Sequence, residues 1–132
     1  MPKYKYRQEF EVNASVKMLY PYFSTAKGLS EWIADEVRST DQKDHFVFVW
    51  NGEERPARMV IKRKENHLKY AFAPTREGED EEPSYVEFLM DFNEMTQTTF
   101  VKVIDYSDMD DEEELNDLWG QFFEELRTLV GA

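Results

Sequence analysis

Asp111-Glu-Glu-Glu-Leu115-Asn-Asp-Leu118-Trp119-Gly-Gln-Phe122-Phe123-Glu-Glu-Leu126-Arg-Thr-Leu129-Val130-Gly131 is the stretch whose periodicity decides the fold. Leu115, Leu118, Trp119, Phe122, Leu126, Leu129 and Val130 fall at helical spacing and draw one apolar stripe along an α-helix of about 20 residues. The acidic first turn, Asp111 to Glu114, complements the positive end of the helix dipole, and Gly131 suits the exit. Gly120 weakens the helix by up to about 1 kcal/mol relative to Ala. Its plainest reading is close packing against a neighbouring element, with close approach to a bound molecule as the alternative. A helix with one apolar stripe needs a surface to bury it against, and the residues upstream supply strands.

Lys3 to Val12 alternates strictly, with Tyr4, Tyr6, Gln8, Phe10 and Val12 on one side and charges on the other, the pattern of a half-buried strand. Asn13-Ala-Ser15 offers a cap for a first short helix carrying Val16, Leu19, Tyr20 and Phe23, which Pro21 should keep short or bent. Lys27-Gly28 reads as a break, after which Ser30 could cap a second short helix bearing Leu29, Trp32 and Ile33. A weak strand over Glu36–Thr40 follows, then the apolar run Phe46–Trp50, which ends at the turn signal Asn51-Gly52. Arg58–Arg63 and Leu68–Ala73 form the next pair, joined by Lys64-Glu65-Asn66-His67. Pro74 to Pro83 is polar and reads as a mobile surface loop. Ser84–Asn93, with Val86, Phe88, Met90 and Phe92 on one face, and Thr98–Tyr106 complete the strands.

The predicted class is α+β: a strand, two short helices, about six strands in a meander, then the long helix. Consecutive strands with short connections pair antiparallel, and only the terminal helix is long and apolar enough to cover the resulting sheet. A seven-stranded sheet would curve around that helix, with the short helices closing one end. The 132 residues fit one domain, 1–132, with one core.

Twenty-eight acidic residues against 16 basic ones leave a charge of -12, which opposes nucleic-acid phosphates and anionic lipid surfaces. The excess is concentrated after Lys102, where Arg127 is the only base. That region reads as a solvated face, with docking of a basic protein as the sharper alternative. Cysteine is absent, removing disulfides, thiolate nucleophiles and Cys-based zinc sites. No run approaches the ~20 apolar residues that span a bilayer, and the amino terminus lacks an apolar leader. A cytoplasmic location is the expectation.

The β-α-α-β6-α order resembles the helix-grip fold of the START-like (SRPBCC) superfamily, particularly the branch related to activators of the Hsp90 ATPase. The residues that carry the resemblance are Ala14-Ser15-Val16, Gly28-Leu29-Ser30-Glu31-Trp32, Phe46-Val47-Phe48-Val49-Trp50 and the closing helix from Trp119 to Leu129. The chain is most similar to a compact, acidic START-like group found in Bacteroidetes. The resemblance implies a space between sheet and closing helix suited to a lipid, sterol, polyketide or other hydrophobic molecule; separately, no cofactor is expected.

The residues themselves offer little catalytic chemistry. His45 and His67 belong to no metal-binding pair and read as strand-end residues, so no metal is expected. The five isolated glycines form no phosphate loop, and no serine sits in a GxSxG turn. Among carboxylates, alternation sends Glu87 and Asp91 to solvent, whereas Asp105 could face either way. Trp32, Trp50, Phe72, Phe88, Met90, Phe92, Trp119, Phe122 and Phe123 are the bulky residues that would gather between sheet and helix. They either fill that space or line a pocket within it. Three functions follow: a non-enzymatic domain binding a hydrophobic small molecule there; a protein-interaction module resembling Hsp90 activators through the acidic carboxy-terminal surface or the 74–83 loop; and, weaker, a cyclase-like or hydrolytic enzyme, which needs a polar group in the pocket.

Overall fold

A computed structural model describes residues 3–63, 66–73 and 83–131. The elements run β1 (Tyr4–Val12), α1 (Val16–Ser24), α2 (Ala26–Ser30), β2 (Glu36–Ser39), β3 (His45–Trp50), β4 (Glu53–Arg63), β5 (His67–Phe72), β6 (Tyr85–Asn93), β7 (Thr98–Ser107) and α3 (Glu112–Val130). The seven strands form one antiparallel sheet in the order β1-β7-β6-β5-β4-β3-β2, so the chain's first strand pairs with its last. The loop anticipated over 74–83 lies outside the described residues except for Pro83, as do Lys64 and Glu65 of the β4–β5 connection.

α3 packs across the inner face of this sheet. Asp111 caps it by accepting from the Glu114 N–H at 3.1 Å, and Gly131 ends it in the left-handed region at φ 75°. Its buried side chains are Leu115, Trp119, Phe123 and Leu126, so the stripe is narrower than the one read from the sequence and includes Phe123, which that reading left out. Leu118, Phe122 and Val130 are half-buried and Leu129 is exposed, because a curved sheet covers only part of the helix circumference. Gly120 makes no close approach to another element: a Cβ there would meet nothing within 4 Å, so packing against the sheet does not explain it.

The inner face of the sheet supplies Tyr6, Phe48, Leu68, Tyr70, Phe88, Val101 and Val103, all fully or nearly fully buried. Asn51 and Gly52, at φ 51° and 79°, form the two-residue turn that sets Trp50 opposite Glu53. β4 is longer than the hydrophobic pattern of Arg58–Arg63, since Glu53, Glu54, Arg55 and Pro56 disguise its start. A bulge between Met59 and Ile61 leaves Val60 unpaired and bends the strand, adding curvature.

The short helices differ from expectation in their caps. Thr25, not Ser30, caps α2, accepting from the Gly28 N–H at 2.9 Å. Ser30 ends that helix and its hydroxyl bonds the Val37 N–H and carbonyl at 2.7 and 3.0 Å, fastening β2. Trp32 and Ile33 lie beyond the helix in a buried turn. Gly28 is not the break: the chain turns at Thr25, and Gly28 lies within α2 against the backbone of α1, where a Cβ would sit 2.1 Å from the Pro21 carbonyl oxygen.

Candidate functional site

Between the sheet and the amino-terminal half of α3, at the end of the groove marked by Trp50, Phe72 and Ser107, lies a partly open cavity of about 350 Å³. Its apolar walls come from Trp50 on β3, Phe72 on β5, Val86 on β6, and Leu118, Trp119 and Phe122 on α3. Trp50 is fixed by donating its indole N–H to the Ile33 carbonyl at 2.9 Å and by stacking on Phe48 at 5.5 Å between ring centroids. Phe72 packs edge-on against Phe48 at 5.3 Å, and Trp119 against Phe122 at 5.3 Å. These rings are held from behind by the core, which keeps the wall rigid.

Two ionisable side chains project into this space, and strand parity explains both. Asp105 continues the inward series of Val101 and Val103 on β7, opposite Tyr6 and Val86. Its carboxylate accepts the Trp119 indole N–H at 2.9 Å and a hydrogen bond from the Ser107 hydroxyl. Burial raises its pKa above the ordinary carboxylate range, while those two donors pull the other way. The neighbouring Tyr6 phenol is pushed up to about 12, by burial first and then by the charges of Asp105 and Glu112; it donates to Asn116 Oδ1 at 2.7 Å. Arg55 pairs with Phe48 across the β3–β4 hairpin and shares the inward parity of Ala57 and Met59. Its guanidinium lies 5.3 Å from the Phe72 ring centroid, and its buried Nε has no hydrogen-bond partner among the described residues.

Of the nine bulky residues singled out from the sequence, Trp50, Phe72, Trp119 and Phe122 come together on the cavity wall. Trp32, Phe88 and Phe123 instead fill the groove deeper in, where Trp32 meets Phe123 at 5.1 Å and Phe23 at 4.9 Å. Met90 is buried further along β6, and Phe92 is half-buried at the opposite end beside a shallow depression shared with Asp91, Glu94 and Met95. The aromatics therefore do both jobs: three close the core and four border a space. Glu87 and Asp91 point to the outer face, where Glu87 pairs with the His67 imidazole. Arg55 was hidden by the apparent late start of β4; counting three residues outward on each side of the Asn51-Gly52 turn aligns it with Phe48 and turns it inward.

Among the described residues no three metal-ligating side chains cluster, and no helix is long and apolar enough to cross a membrane. The cavity can thus hold a mostly apolar molecule beside the Arg55 guanidinium and the inward Asp105 carboxyl group, with the exposed Asp108 also on its lining.

A family model described as a START-like superfamily domain matches residues 1–132. Among solved structures, the Aha1 dimer from Colwellia psychrerythraea superimposes with a TM-score of 0.77 at 17% identity over 96% of each chain. A solution structure from Cytophaga hutchinsonii gives 0.71 at 13% identity, covering 99% of this chain and 96% of the other. DynU16, a protein of the dynemicin biosynthetic locus, gives 0.72 at 13% identity, covering 97% of this chain but 47% of its own. No curated protein matches the chain. At such identities the structures agree in fold alone.

Proposed function

The chain belongs to the START-like superfamily, and from that premise we propose that it is a single non-enzymatic domain that binds a hydrophobic small molecule, of lipid, sterol or polyketide type, between its sheet and α3. The observation that carries this reading is the cavity of about 350 Å³ walled by Trp50, Phe72, Trp119 and Phe122. That volume falls at the lower end of the roughly 300–1,000 Å³ typical of small-molecule sites. We read Asp105 as the anchor of Trp119 rather than as a catalyst, because the indole and the Ser107 hydroxyl already occupy it.

Indole fluorescence provides the test, since two of the three tryptophans stand on the wall. A panel of fatty acids, sterols and aromatic polyketides should contain members that change the emission saturably and raise the melting temperature. A ligand present at about 100 times its Kd stabilises the fold by about 2.7 kcal/mol. Silence across the panel in both readouts would refute the reading.

A protein-interaction role has one observation in its favour: Asp110, Asp111, Glu112, Glu113 and Glu114 are all exposed at the start of α3. Neutralising these five residues and repeating a partner pull-down tests it, and undiminished capture of every partner would reject it.

A further inference from the structure

Arg55 is the unusual component of the cavity. Strand parity places it where β4 otherwise presents Ala57 and Met59 to the core, so a charge stands at an apolar position. Removing a guanidinium from water is costly unless its donors find acceptors. Here the residue is half-buried: its side chain touches the Phe72 face, and its Nε, though not the other guanidinium nitrogens, is buried without a partner among the described residues. A guanidinium carries five N–H donors and no acceptor, so what completes it is an acceptor, and an anionic one best of all.

The two carboxylates on the wall are engaged or screened rather than turned to Arg55. Asp105 is engaged by Trp119 and Ser107, and Asp108 is exposed at the rim, where solvent and salt screen it. Around Arg55 the surfaces are rings: Phe72 against it, then Phe48 and Trp50. A lone guanidinium matches the planar, monovalent carboxylate, which it can grip with two parallel hydrogen bonds, better than a dianion that needs several cations.

Resting on the binding reading above, we infer that the cavity recognises molecules with an apolar, preferably ring-bearing, body ending in a carboxylate, and that Arg55 is the residue that selects for that group. The ring body lies against Trp50, Phe72 and Trp119 while the carboxylate faces Arg55.

Matched probes separate the two claims. Isothermal titration calorimetry of the full chain compares 2-naphthoate with 2-naphthylmethanol, and decanoate with 1-decanol. Each carboxylate should bind at least about tenfold more tightly than its alcohol, the size of one net charge-assisted hydrogen bond. In Arg55→Met that preference should vanish, with alcohol affinity kept, which also reports an intact pocket. Arg55→Lys should retain part of the preference, since it keeps the charge but loses the fork. Equal binding of acid and alcohol by the unaltered protein, or a preference that survives Arg55→Met, overturns the carboxylate inference and leaves the hydrophobic pocket standing. Binding of neither class up to the solubility limit overturns both.

Discussion

Replacing Gly28 by Ala should unfold the protein more easily, although Ala is the better helix former. The structure sets the size of the effect. A Cβ at position 28 would lie 2.1 Å from the Pro21 carbonyl oxygen and 2.7 Å from both Pro21 C and Tyr22 Cα, against an ordinary contact of 3.4–4 Å. All three obstacles are backbone, so no rotamer change relieves them, and α2 would have to retreat from α1 by more than about 1 Å. That movement disturbs Leu29 and Phe23, both fully buried, and the hydrogen bond from Trp32 Nε1 to the Tyr22 carbonyl at 2.8 Å. Overpacking of this kind costs about 1–3 kcal/mol, and the rigid surroundings place this case at the upper end even after the helix-propensity gain. Gly120→Ala is the matched control, because a Cβ there meets open space. It should stabilise by about 0.5–1 kcal/mol. Urea unfolding followed by tryptophan emission measures both: with an m-value of about 1–3 kcal/mol/M, Gly28→Ala lowers the midpoint by roughly 1 M or more. If the two variants shift in the same direction, or if Gly28→Ala stays within about 0.5 kcal/mol of the parent, the close-approach argument is wrong.

Asp105 should make stability pH-dependent. Its folded pKa is raised above the unfolded one, so its favourable contribution is complete below the usual carboxylate range and fades as pH rises through the raised value. Asp105→Asn keeps an acceptor for Trp119 without the charge. Its stability advantage over the parent should therefore be largest at neutral pH and shrink on acidification; an advantage that grows towards pH 3 would contradict the sign. Thr99→Val keeps the shape of a fully buried side chain but removes its 2.5 Å hydrogen bond to the Ala14 carbonyl, and should cost about 1–3 kcal/mol by chemical denaturation. Phe123→Ala should cost about 3–5 kcal/mol, given full burial and a ring stacked 4.3 Å from Phe10. Phe122→Ala, on the cavity wall and half-buried, should cost clearly less while changing ligand binding more; equal losses of stability would erase the distinction between core and wall.

The reach of sequence reasoning follows the range of the forces involved. The α3 periodicity, its acidic start and its Gly131 exit are legible because they rest on contacts within four residues along the chain, whereas the capping role of Asp111 came from the structure. The Asn51-Gly52 turn and the alternation of Val86, Phe88 and Met90 are equally local. The start of β4 was not, because its charged residues and Pro56 speak against a strand until β3 and β5 are present to pair with it. Ser30 looked like a helix cap, yet its hydroxyl serves β2 seven residues away.

Element order, the antiparallel meander and the helix that the sheet must cover could be read along the chain, since periodicity and turn chemistry are properties of neighbouring residues. Which aromatics close the core and which border a space, how tightly Gly28 meets α1, and the inward turn of both Arg55 and Asp105 emerged from packing in three dimensions. Those outcomes depend on curvature and on pairing between residues as distant as Tyr6 and Asp105, where an offset of one residue would reverse the face each side chain occupies.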